Sequence, residues 1–161
     1  MISVEEKLAI HELLSRAAYA YDERDVPMLE NCFSPAASFS MRIAGGDLVG
    51  PFEGRESIMG LMTGSMAEQT DVRRHVISNI FFEEHDGQLQ VISNLTLFAT
   101  ENGEINLLSA GVYRDTVVQE NGQWCIANRH LERPAQLSAS FPLAFLHDVG
   151  CHRAVQFRRK S

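Results

Sequence analysis

Residues 75–130 read HVISNIFFEEHDGQLQVISNLTLFATENGEINLLSAGVYRDTVVQENGQWCIANRH. Runs rich in Val, Ile, Leu and Phe begin at His75, Leu89, Asn106 and Gln123, separated by HDGQ, TENGE and QENGQ. Asp-Gly and Asn-Gly supply the positive φ angles that tight hairpin turns need, so each separator reads as a hairpin. The stretch predicts a four-stranded antiparallel meander, and strands of this length imply a curved sheet.

Working outward, the first half has a helical pattern. Ser3 and Glu6 have the S-x-x-E spacing of a capping box, which satisfies free amides at a helix start. Ile10, Leu13, Leu14, Ala17, Ala18 and Tyr21 then recur at three- and four-residue spacing. Asp25 is placed to cap a second short helix carrying Met28, Leu29, Cys32 and Phe33, which Pro35 ends. ASFSMRI (37–43) reads as a short strand and GGDLVGPFEG (45–54) as a loop, with a third helix from near Arg55 carrying Ile58, Leu61 and Met62. Helices first and a meander after imply an α+β fold with the helices packed in the sheet's concavity. PAQLSASFPLAFLHDVG (134–150) reads as a short terminal helix or a flap.

No repeat, low-complexity tract or linker divides the 161 residues, so one domain over 1–161 is expected. Such a chain buries roughly 70% of its unfolded surface, enough for a core and a pocket. Its composition, 45% hydrophobic and 22% charged, is globular. A formal charge of −7 argues against nucleic acid and anionic membranes as partners. Cys32, Cys125 and Cys151 are odd in number, with no C-x-x-C, which reads as reduced thiols in a cytoplasmic protein. The start, MISVEEKLAI, lacks a signal-peptide pattern, and no apolar run nears the ~20 residues that span a bilayer.

YDERD (21–25), CFSPAASF (32–39), GRESI (54–58), RRHVISN (73–79) and GVYRDTVVQENGQWCIANRH (111–130) follow one another in an order that resembles the SnoaL-like branch of the nuclear-transport-factor-2-like superfamily. The resemblance runs from Ile10 to about Arg133 and implies a cone-shaped, cystatin-like α+β barrel with a pocket between helices and sheet. Two kinds of member match best. Scytalone dehydratases carry a Tyr-Asp pair late in the first helix and a Cys-x-x-Pro ten residues on. Here these are Tyr21, Asp22, Cys32 and Pro35. Their catalytic histidine at the start of a strand falls on His75. Their second pocket tyrosine falls on Met41, their second histidine near Thr100 and Glu101, and their pocket asparagine on Gly111. Scytalone itself is therefore not the expected substrate. The small (β) subunits of aromatic-ring-hydroxylating dioxygenases are the other match, through VISNLTLFATENGE (91–104) and 111–130. They are structural, supporting a large subunit that holds iron and a Rieske cluster.

By helical geometry Asp22 sits at the edge of the apolar stripe, compatible with a solvated helix end or with a pocket. The resemblance favours the pocket, where a poorly solvated carboxylate suits a general base. His75 is expected to share a strand face with Ile77, Asn79 and Phe81, and with Asp22 it would form an acid–base dyad. Tyr21, Phe39, Met41, Asn79, Gly111 and His130 complete the expected pocket, His130 because it faces away from Arg129. Arg114 and Arg129 read as rim salt-bridge residues, Trp124 as the core anchor of the last hairpin, and His85 as a solvated turn residue. His147 and His152 have no companion ligand at metal spacing, so no metal is expected. The absence of G-x-G-x-x-G, Walker and G-x-S-x-G motifs removes nucleotide and serine-hydrolase readings.

The expectation is thus a cofactor-free dehydratase, isomerase or cyclase acting on a small apolar oxygenated compound through Asp22 and His75. It would be cytoplasmic and a homodimer or homotrimer. The alternatives are a dioxygenase small subunit bound to its large subunit, and a non-catalytic ligand-binding protein.

Overall fold

The computed structural model describes residues 2–85 and 87–134. The expected terminal helix or flap, together with Cys151, His147 and His152, lies outside the described residues. Helix α1 (Val4–Asp22) starts at the capping box: Ser3 Oγ accepts the Glu6 amide at 3.1 Å, and Glu6 accepts the Ser3 amide at 2.8 Å. Asp25 caps α2 (Val26–Asn31) through the Met28 amide. Strands β1 (Phe33–Ile43) and β2 (Leu48–Glu53) precede α3 (Arg55–Glu68), and β3 (Val72–His85), β4 (Gln88–Glu101), β5 (Glu104–Glu120) and β6 (Gln123–Arg133) complete the order. In the last two hairpins Asn102, Gly103, Asn121 and Gly122 all take positive φ, between 51° and 82°, which explains the two Asn-Gly pairs.

One six-stranded sheet, ordered β2-β1-β6-β5-β4-β3, curves without closing. The meander is antiparallel throughout, and β1 joins it by parallel pairing with β6. Helices α1 and α3 fill the concave face. Ile10, Leu13, Leu14, Ala17 and Ala20 of α1 and Ile58, Met59 and Met66 of α3 pack with Phe33, Phe39 and Met41 of β1, Val91 and Leu95 of β4, Val117 of β5, and Ile126 and Leu131 of β6. Each large apolar side chain so buried contributes about 1.5–3 kcal/mol. Trp124 is half-buried against this core.

Three features differ from the sequence reading. Residues 48–53 form an edge strand, not a loop, because Pro51 needs no ladder hydrogen bond on an edge. Phe33 belongs to β1 and not to the second helix, and Pro35 lies inside that strand, where the register with β6 is irregular between Phe33 and Ser38. In β3 a bulge interrupts the pairing between Ser78 and Phe81, with Asn79 at φ 52°. The bulge flips the alternation. Ile80 and Phe82 pack on the core, while Phe81 and Asn79 are exposed.

Candidate active site

Asp22 ends α1, where a carboxylate opposes the negative end of the helix dipole and has no basic residue in the last turn to offset it. Its partners come from the sheet. The backbone N–H of His75 donates to Asp22 Oδ2 at 2.7 Å, and His75 Nδ1 lies 2.6 Å from Asp22 Oδ1. The Asp22 and His75 side chains are 5% and 14% exposed, in that order. An Asp carboxylate only accepts, so Nδ1 carries the proton and Nε2 is left as the outward-acting nitrogen. Glu23–Arg74, at 2.9 Å, and the bond from Arg24 to the Gln69 carbonyl clamp the same helix end to β3 and to the end of α3.

Tyr21 supports the pair from one side. Its ring meets the His75 ring edge-on at 5.0 Å between centroids, and its hydroxyl donates to Ser65 Oγ at 2.9 Å while accepting from Gln69 at 2.6 Å. Burial pushes the Tyr21 pKa up, opposed by its bond to Ser65. Its hydroxyl is thus committed to α3 and the residue that follows it.

Alternation on β3, β4 and β5 puts a row of residues on the concave face: His75 is paired with Leu97, and Leu97 with Ser109. Tyr113 and Asp115 follow Ser109 on the same face of β5, opposite Leu131 and Arg129 of β6.

A family model described as a SnoaL-like domain matches residues 3–130. The chain belongs to the SnoaL-like family. No curated protein matches it. Several solved structures are similar. A Nostoc punctiforme protein of unknown function with a cystatin-like fold is 21% identical, with 88% of this chain and 98% of that one covered and a TM-score of 0.69. A candidate scytalone dehydratase from Novosphingobium aromaticivorans is 23% identical over 83% of this chain and 87% of its own, at 0.67. A candidate aromatic ring hydroxylase from the same organism is 18% identical over 83% and 92%, at 0.69. These likenesses establish the cystatin-like, nuclear-transport-factor-2-like fold.

Within this SnoaL-like fold, the expected site residues separate. Asp22, His75 and Tyr21 come together. Phe39 and Met41 are buried on the concave face of β1, Phe39 against Phe52 of β2. Gly111 is buried on the concave face of β5, where an added Cβ would lie 2.7 Å from the Glu132 carbonyl oxygen. Two positions need correction. Asn79 is exposed at the bulge, not in line with His75, because one extra residue there reverses the strand's faces. His130 stands on the outer face, 2.9 Å from Ser40 and 3.3 Å from Glu132. Its buried neighbours Arg129 and Leu131 take the concave side.

Arg129 is not a rim residue. It makes two hydrogen bonds to Asp115, at 2.8 and 2.7 Å, with side-chain exposures of 7% and 0%. Its guanidinium lies 4.3 Å from the centre of the Tyr113 ring. Burial raises the Tyr113 pKa to about 12 against the opposing pull of Arg129. Asp115, Tyr113, Ser109 and Arg133 escaped the sequence reading. The only sequence signal was their alternation with apolar residues on β5 and β6, which places them on the core face. Among the described residues no three His, Cys, Asp or Glu side chains gather as metal ligands, and no helix is long and apolar enough to cross a membrane.

Proposed function

We propose that this SnoaL-like protein is a cofactor-free acid–base enzyme, a dehydratase, isomerase or cyclase of a small, largely apolar oxygenated compound. One observation carries the reading: Asp22 accepts from both the ring and the backbone of His75, favouring the tautomer that leaves Nε2 unprotonated. His75 is then the group that touches substrate, and Asp22 orients it and stabilises the imidazolium it becomes.

In a dehydration, Nε2 takes the proton next to a carbonyl and the C–H electron pair forms the new double bond. The hydroxyl on the adjacent carbon leaves with the proton returned by Nε2, giving water and the neutral imidazole again. In an isomerisation the same proton returns to a different carbon. Burial of the pair keeps water from competing for the proton, and Leu97 beside His75 offers an apolar wall. Incubation with a panel of aromatic β-hydroxy ketones, followed by enone absorbance, tests the reading. Turnover by the wild-type protein and its loss in His75→Gln is the expected result. Equal rates in the two proteins would refute it.

A second reading has the fold likeness to the candidate aromatic ring hydroxylase in its favour: a structural small subunit of a ring-hydroxylating dioxygenase. In that role the Asp22–His75 bond would only tie α1 to β3.

A further inference from the structure

We propose that Arg133 is the anion-binding residue of the His75 site and that the ligand carries a carboxylate. The proposal names a substrate class for that site and so rests on its being a ligand site.

Arg133 is the last residue of β6, and its stem crosses the concave face over Gly111. A Cβ on Gly111 would stand 3.2 Å from Arg133 Cγ and 3.1 Å from Leu131 Cδ1, so the bare glycine makes room for that stem. The Nε–H donates to Ser109 Oγ at 2.7 Å. Ser109 is nearly fully buried and lies in register with Leu97, which lies in register with His75. The guanidinium is therefore anchored on the same face as His75 and two strand spacings away, about 10 Å. That separation suits a two-ring compound with its acid group at one end and its reacting carbon at the other.

The charge balance points the same way. Arg129 is matched by Asp115, and Arg73, two residues before His75, by Asp71 at 2.8 Å. Arg133 has no carboxylate partner among the described residues, and its two terminal nitrogens donate to nothing there. Burial lowers its pKa, only partly offset by Tyr113, and the like charge of Arg73 lowers it further. A guanidinium stays charged regardless, so this is a partly desolvated cation without a counter-ion among the described residues. A planar carboxylate accepts two parallel N–H bonds from such a fork.

Calorimetric titration with 1-naphthoate and with 1-naphthamide, nearly the same shape without the charge, tests the proposal. Naphthoate should bind at least tenfold more tightly to the wild-type protein. Arg133→Gln should bring naphthoate down to the naphthamide level and leave naphthamide unchanged. Ser109→Ala, which keeps the charge but releases the stem, should reduce the preference in part. His75→Gln should keep it, so loss of catalysis and loss of anion binding are read separately. Equal affinities in the wild-type protein, no binding of naphthoate, or a preference that survives Arg133→Gln would overturn the assignment.

Discussion

Both carboxylate oxygens of Asp22 are engaged by His75, one by the ring Nδ1 and the other by the backbone N–H. This relationship reverses the stability effect expected of Asp22→Asn. On sequence alone, a pocket carboxylate costs solvation, so the amide should be at least as stable. In the structure an amide can still accept from the backbone N–H, but its NH2 group then faces Nδ1. The charge-assisted bond is lost, and the ring pairs only with its proton moved to Nε2. Asp22→Asn should lower stability by about 1–3 kcal/mol. It should also cost turnover about 10²-fold or more, as a loss of acid–base catalysis does. Thermal unfolding at pH 7 beside turnover measures both. An Asn variant with unchanged activity would end the dyad idea.

The buried Asp115–Arg129 pair makes a second prediction. Arg129→Met leaves Asp115 charged and wholly buried without its partner, which should cost about 3–5 kcal/mol. The double variant Asp115→Leu/Arg129→Met should recover most of that loss, since the desolvation cost goes with both charges. Urea unfolding of the two single variants and the double variant gives the coupling directly. Additive losses would mean that the pair is not energetically coupled.

Tyr113 should shape the alkaline limb of stability. Its folded pKa is about 12, raised by burial from 10.0. The unfolded chain therefore releases this proton first as pH rises. The contribution is fully present below about pH 10 and is lost between about 10 and 12, up to about 3 kcal/mol. Tyr113→Phe keeps the ring against Arg129 and removes the titration, so its stability should fall less steeply over that range. Parallel curves for the two proteins would contradict the assignment.

Assembly can be predicted from the outer face of the sheet. Val76 and Phe81 of β3 and Leu107 of β5 are each about half exposed there, between 44% and 48%. Large apolar side chains on an exposed sheet face favour pairing of copies. Sedimentation at micromolar concentration should give a homodimer or homotrimer; an 18 kDa monomer would refute this.

Purification from the native cell separates the two functional readings. An independent enzyme should come away without an iron–sulfur protein. Stoichiometric recovery with a Rieske-type large subunit would replace the enzyme reading with the structural-subunit one.

The chain's own pattern determined what is local. The capping box at Ser3 and Glu6, the Asn-Gly hairpins and the strand runs of the meander depend on neighbours a few residues away. So does the Tyr21–Asp22 pair at the end of α1. Period and spacing alone report such features. Tertiary structure decided the rest, because it depends on pairings far apart in sequence. Leu48–Glu53 is a strand only because β1 offers it an edge. A single bulge at Asn79, which alternation cannot foresee, turns Phe82 inward and Phe81 outward. Asp22 and His75 are 53 residues apart, and only the packing of α1 on β3 brings the carboxylate to the ring and its backbone amide. Arg129 looked like a rim residue because a buried charge is costly unless paired, and its partner Asp115 lies on a different strand. The register of β5 against β6 supplies that pair.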